Sequence, residues 1–225
     1  MSFAHITHVD EDEPRSEIIW AAAELFMNLG YGGTSIDAIA EKLGATKGRI
    51  YHYYRSKAEI YFDVQRVAMK RLMERVEPIA RRKEDPRIRL REMARVHVEV
   101  MLHELPIQKV AVQGLDLSML GHRHTKASRE IVRMRDEYEQ MFCEVMDEGI
   151  RQGIFEDIPA RMLSKPFFGA LNWVTIWYRP RRLQGPEELA AIADMLADFA
   201  MKGVLREGNR RDDRGKEAVF RPGVG

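Results

Sequence analysis

Residues 46–57 carry four cations, Lys47, Arg49, Arg55 and Lys57, and no acid. Tyr51, His52 and Tyr53 stand among them, and Gly48 separates the first two cations. Such a set holds no nucleophile with a base beside it; what it offers is hydrogen-bond donors. Arginine forks onto the O6 and N7 of guanine, lysine brings a point charge to phosphate, and a small residue between them lets a helix lie close to base edges. Thr34, Thr46, Tyr51 and Lys57 are then expected at phosphate oxygens, through hydroxyls, a helix N-terminus and a charge. His52 has two readings, a phosphate donor or an exposed ring with no role. The candidate DNA-contacting residues are Thr34, Thr46, Lys47, Gly48, Arg49, Tyr51, His52, Tyr53 and Lys57.

These side chains need a rigid frame, and the flanking residues supply one. Ile18, Ile19, Ala22, Ala23, Leu25, Phe26 and Leu29 recur at helical spacing until Gly30. Thr34 is placed to cap a second helix over 35–43, in which Ile36, Ile39, Ala40 and Leu43 turn inward and Gly44 ends the run. Thr46 caps a third, through Ile50 to about Tyr53, with Ile50 and Tyr54 pointing inward. Ser56 opens a fourth, with Glu59 at the capping-box spacing. Two short helices joined by a tight Leu43-Gly44-Ala45 turn predict a helix-turn-helix. Beyond residue 65 the pattern stays helical, broken at Pro86, Pro106, Gly121, Gly153, Pro159 and Gly185-Pro186. No alternation suggests a strand. The fold class expected is all-α, with about nine helices.

Composition limits what else the chain can be. Among 225 residues, 36 Lys and Arg balance 35 Asp and Glu, so the net charge of +1 hides a basic segment among acidic ones. Cys143 is alone and cannot form an internal disulfide; it reads as a packed small hydrophobe. The first 15 residues are acidic without an apolar core, and no apolar run is long enough for a bilayer, so a cytoplasmic location is expected and no membrane partner. Residues 30–34 lack the ending of a phosphate loop. His97, His103, His122 and His124 have no Cys or carboxylate at ligand-like spacing, so no metal and no cofactor is expected. No catalytic constellation appears outside the head, which argues against an enzyme.

Arg15, Ile19, Ala23, Leu25-Phe26, Gly30-Tyr31, Thr34-Ser35-Ile36, Ile39-Ala40, 43–48, 50–54, Ser56-Lys57 and Glu59 together resemble the DNA-binding domain of TetR-family transcriptional regulators. Tyr54 stands where that family usually has Phe, and Ala58 where Glu is common; neither change disturbs the scaffold. The resemblance implies a homodimer of nine-helix subunits, a three-helix DNA-binding head and a divergent ligand-binding and dimerisation domain. It divides the chain into a flexible segment over 1–14, the head over 15–61, the sensor over 62–206 and a disordered tail over 207–225. Helices over about 160–178 and 186–204 are expected to pair with their symmetry mates.

A second similarity lies further on. Glu148-Gly149-Ile150 and Gly153-Ile154-Phe155 match the common end of the family's seventh helix. Phe168, Asn172-Trp173-Val174, Trp177-Tyr178-Arg179-Pro180 and Gly185-Pro186-Glu187-Glu188 resemble members that respond to acyl-CoA thioesters, the steroid-degradation repressors among them. An acyl-CoA or a related fatty or ring-derived acid is the effector this implies. Pocket candidates are Met101, Leu105, Gln113, Leu117, Met134, Tyr138, Phe168, Asn172, Trp173 and Trp177, the two tryptophans having core or dimer interface as their other reading. Arg133, Arg135, Arg179, Arg181 and Arg182 are either phosphate partners for a CoA or ordinary surface arginines. The rival readings are a multidrug-type regulator of aromatic or cationic compounds, an enzyme with an appended helix-turn-helix, and a purely structural DNA-binding protein.

Overall fold

The computed structural model describes residues 13–114, 126–181 and 184–209. The expected pocket residue Leu117, His122, His124, Arg182, the lead-in before residue 13 and the tail after residue 209 lie outside the described residues. In chain order the helices are α1 (Glu13–Gly33), α2 (Ile36–Lys42), α3 (Lys47–Tyr53), α4 (Lys57–Ala80), α5 (Pro86–His103), α6 (Leu105–Gln113), α7 (Lys126–Arg151), α8 (Ala160–Asn172), α9 (Val174–Trp177) and α10 (Pro186–Val204). Only Trp173 separates α8 from the single turn of α9, so the pair counts as one interrupted helix and gives nine among the described residues. Their only extended pairing is an isolated bridge between Phe155 and Leu205.

Three local expectations need correcting. Thr34 does not cap α2: it is buried, and its hydroxyl donates to Gly30 O at 2.8 Å. Ser35 takes that role, with an extended backbone and its Oγ accepting from Ala38 N–H at 3.0 Å. The helix expected to run to residue 178 stops at Asn172, a weak helix former whose Oδ1 lies 3.0 Å from His97 Nε2. Trp173 and Trp177 therefore do not share one continuous helix. Finally, α1 begins at Glu13, inside the stretch expected to be flexible.

Packing groups the chain into two units, and α4, α5, α7 and α9 contribute to both. Of the described residues the first takes 13–74, 100–114, 126–138 and 175–178. Its core joins Ile18, Ala22 and Phe26 of α1 to Ile39, Ile50, Tyr54 and Ile60. The same cluster takes in Ile107, Val110 and Ala111 of α6, which packs on α1. Two helices of seven residues bury too little alone, so α6 completes the head's core.

Of the described residues the second unit takes 75–99, 139–174, 179–181 and 184–209. Here α8 packs on α10, burying Leu163, Phe167 and Leu171 against Ala193, Leu196, Ala197, Ala200 and Met201. Arg91 steadies α10 through Asp198 at 2.6 Å and Asp194 at 2.9 Å. Arg89 is buried; its guanidinium closes the end of α4 by donating to Ala80 O and Arg82 O, and pairs with Glu148.

The end of α7 explains a pair of glycines. Gly153 has φ 70°, a left-handed conformation that ends the helix and returns Ile154 N–H to Gly149 O at 2.8 Å. The turn folds the fully buried Phe155 ring onto Gly149, where a Cβ would lie 2.2 Å from the ring. Gly149→Ala is therefore expected to lower stability by about 1–3 kcal/mol through overpacking, a Tm fall of roughly 2–12 °C in a chain of this size. Thermal unfolding followed by circular dichroism checks this; an unchanged Tm would show that the ring is not locked there.

Candidate nucleic-acid interface

The recognition helix is built from its ends inward. Gly44 takes φ 60°, and Gly44 N–H and Ala45 N–H close onto Glu41 O and Ala40 O at 3.0 and 2.9 Å. Thr46 caps α3 as expected, its hydroxyl accepting from Arg49 N–H at 3.4 Å. Ile50 and Tyr54 are fully buried beneath the helix. The Tyr54 hydroxyl donates to Asp63 Oδ2 at 2.6 Å, and burial followed by that carboxylate pushes the phenol's pKa well up. The Arg15 guanidinium lies 5.1 Å from the Tyr54 ring centre.

With Ile50 and Tyr54 turned in, Thr46, Lys47, Gly48, Arg49, Tyr51 and His52 are exposed, and Tyr53 is half-buried with its ring edge-on to His52 at 4.9 Å. A Cβ on Gly48 would meet nothing closer than Thr46 Oγ1 at 3.8 Å. The fold therefore does not need a glycine there, although glycine in a helix costs about 1 kcal/mol against alanine.

Two cations of α3 are already paired. Lys47 Nζ donates to Asp37 Oδ2 at 3.0 Å, and Arg49 Nη2 to Glu17 Oε2 at 2.7 Å. All four side chains are well exposed, so each pair is weak and exchangeable. These acids, on α2 and α1, were missed by sequence reasoning, since Glu17 is 32 residues from Arg49. Glu59 serves the start of α4 instead: Ser56 Oγ accepts its N–H at 3.2 Å, while its carboxylate reaches back to Arg55 N–H at 2.8 Å.

Two residues expected at phosphates are engaged within the head. Thr34 is only 2% exposed, with its hydroxyl committed to Gly30 O. Lys57 is turned inward: Nζ donates to Tyr31 O and to Thr34 O, both at 2.7 Å, and sits 4.2 Å above the Tyr31 ring. Burial lowers its pKa. Both residues clasp the turn between α1 and α2.

The pocket candidates divide. Met101, Leu105 and Tyr138 are buried and Met134 is half-buried in the first unit, while Phe168 and Asn172 are half-buried in the second. Gln113 is exposed at the end of α6, and Trp173 and Trp177 are 61% and 43% exposed, so these three turn outward rather than line an interior. Of the arginines, Arg133 pairs with Glu137 at 3.5 Å and Arg181 with Glu188 at 3.1 Å. Among the described residues no group of three or more His, Cys, Asp or Glu is placed to hold a metal, and no helix is long and apolar enough to cross a membrane.

A capped seven-residue helix over an apolar floor, presenting donors around an unforced glycine, defines a helix-turn-helix DNA-binding protein. The family follows from comparison. Residues 18–64 match the model described as bacterial regulatory proteins, tetR family, and residues 83–204 match the tetracyclin repressor-like C-terminal domain. The chain belongs to the TetR family of bacterial transcriptional regulators.

Among its relatives is the HTH-type transcriptional repressor KstR2 of Mycobacterium tuberculosis, 24% identical over 204 residues, covering 86% of this chain and 94% of that one. The solved structure of that ketosteroid transcriptional regulator superposes with a TM-score of 0.75 at 22% identity, over 89% and 98% of the two chains. The fatty acid metabolism regulator protein of Bacillus subtilis is 24% identical, over 84% of this chain and 94% of its own. AibR, solved in complex with isovaleryl coenzyme A and operator DNA, aligns with a TM-score of 0.62 at 22% identity, over 81% and 97%.

Proposed function

We propose that this regulator is a homodimeric repressor that holds a pseudo-palindromic operator and releases it when a small acyl effector binds. The observation that carries the DNA reading is α3 itself. Arg49 faces base edges, with Lys47 beside it and Gly48 allowing close approach. Thr46, Tyr51, His52 and Tyr53 supply phosphate contacts from its rim. Residues 15–61 do the reading and 62–206 the sensing and pairing.

Dimerisation is supported by an apolar face on the second unit. Met162 and Trp173 on and after α8, and Met195 and Phe199 on α10, are between 48% and 65% exposed. Gly169 lies on the same exposed side of α8. A second copy related by a two-fold axis covers this face in a four-helix bundle and sets two recognition helices about 34–36 Å apart.

The effector reading rests on the relatives, of which KstR2 is a ketosteroid regulator and AibR binds isovaleryl coenzyme A. An acyl-CoA thioester, or the fatty or ring-derived acid it comes from, is the class proposed. Release requires that it bind the DNA-free state more tightly than the DNA-bound state. Packing of α6 on α1 gives a route by which a change at α6 reaches the head.

Arg49→Ala tests the DNA reading. Operator affinity is expected to fall by about 1–3 kcal/mol with little change on random duplex; an equal loss on both assigns Arg49 to phosphate. Operator release titrated with coenzyme A, acyl-CoAs, free acids and cationic drugs tests the effector, and release by drugs alone overturns it.

A further inference from the structure

Three helices of the first unit meet around polar atoms that do not balance. On α7, Arg135 Nη2 donates to Gln65 Oε1 of α4 at 2.9 Å and to Ala111 O of α6 at 2.7 Å. Neither acceptor is charged. Burial lowers the guanidinium's pKa, opposed only by the Tyr61 phenol. Arg66, Arg71, Arg89 and Arg91, by contrast, each face a carboxylate.

The two glutamines beside it are also incomplete. Gln65 is 1% exposed and its Nε2 has no hydrogen-bond partner among the described residues. Gln108 is fully buried; its Nε2 donates to Ala68 O at 3.3 Å, and its Oε1 has no partner among them. Neither amide can be turned over to mend this. Flipping Gln65 would set an NH2 against the guanidinium, and flipping Gln108 would set oxygen against Ala68 O. Gln65 and Ala68 share a turn of α4, and Gln108 and Ala111 a turn of α6, so the bonds Arg135–Gln65, Arg135–Ala111 and Gln108–Ala68 tie all three side chains to the same two helical turns. Glu104, one turn before Gln108, gives Oε1 to Arg71 at 2.9 Å, while its buried Oε2 has no hydrogen-bond partner among the described residues.

We infer that Arg135, Gln65 and Gln108 form the polar end of a ligand site that takes a carboxylate, Arg135 and Gln65 donating to its oxygens and Gln108 Oε1 accepting an adjacent O–H. A neutral thioester carbonyl satisfies Gln65 but leaves the half-buried cation uncompensated, so the charge selects the acid. The inference rests on the effector-responsive reading and narrows its ligand to one carrying a free carboxylate. It also supplies the differential contact that reading needs. A carboxylate at Arg135 competes with Ala111 O, and Ala111 belongs to the α6 surface packed into the head's core.

The test is calorimetric titration of the full chain with decanoate, phenylacetate and cholate, each against its primary amide, and with decanoyl-coenzyme A. At least one acid is expected to bind about tenfold or more tightly than its amide. Arg135→Gln is expected to weaken that acid about 10- to 100-fold, Arg135→Lys to keep part of the preference, and Gln65→Met to weaken it less, with Arg135 intact. Equal binding of acids and amides, no acid binding, or an undiminished preference in Arg135→Gln overturns the site. Operator release by decanoyl-coenzyme A alike in wild type and Arg135→Gln leaves the regulator reading standing and removes this one. Failure to bind any operator removes the former, while the acid titration still decides the latter.

Discussion

Phe199→Asp is expected to leave the subunit folded, separate the dimer and cut operator affinity by two orders of magnitude or more. Phe199 is 64% exposed on α10, one turn from Met195 and on the unit whose α8 exposes Met162. The described residues of its own subunit leave most of the ring open. In a two-fold bundle, each substitution places a carboxylate in a dry contact, and symmetry doubles it. A single head then loses the second as a tethered neighbour, whose effective concentration is on the order of millimolar. Light scattering at micromolar concentration, circular dichroism and an operator gel shift measure the three parts separately. A dimer that survives with full affinity would show that the second copy covers another surface.

The second large effect is a pH dependence. His97 of α5 is fully buried beside Phe142 and Phe168, with Nε2 3.0 Å from Asn172 Oδ1. Burial pulls its pKa down from 6.5 to about 4, partly opposed by the Asn172 hydrogen bond. The folded state thus refuses a proton that the unfolded chain accepts below about pH 6.5. The contribution to stability is full above that value and is lost as the pH falls toward 4. Between about pH 7 and about pH 4.5 the loss from this one group is roughly 2–3 kcal/mol. His97→Gln, which keeps an amide for Asn172 and cannot titrate, should be flatter by that amount in urea unfolding at the two pH values. Parallel curves would mean that His97 is not the acid-sensitive group.

Much of this molecule was legible because its helices are punctuated locally. Ser56 with Glu59, Thr46 as a cap and Gly44 at φ 60° depend on neighbours within a few residues, and each behaves as its type requires. The errors lie where two adjacent residues offer the same chemistry or where the partner is distant. Thr34 and Ser35 both carry a capping oxygen, and only the turn at Gly30 decides which faces the helix. Lys57 looked exposed among cations, yet carbonyls 23 and 26 residues away claim its ammonium. Residues 46–57 contain no acid in sequence, but Glu17 and Asp37 come to them in space. Nor does periodicity reveal that α6 finishes the head's core, since an apolar stripe does not say which neighbour it meets.

Glu17 and Asp37 bear on how the protein searches. If α3 enters the groove as proposed, Arg49 and Lys47 would meet a duplex with their charges already answered, and contact would mean exchanging one anion for another. On an arbitrary sequence the new anion is a phosphate, the exchange is close to even, and the evicted carboxylates face the polyanion. At the operator, base edges add directional bonds that arbitrary sequence lacks. On that reading the two acids would shorten dwell time on wrong sites without touching a base, and part of the selectivity would reside on the surface that DNA displaces.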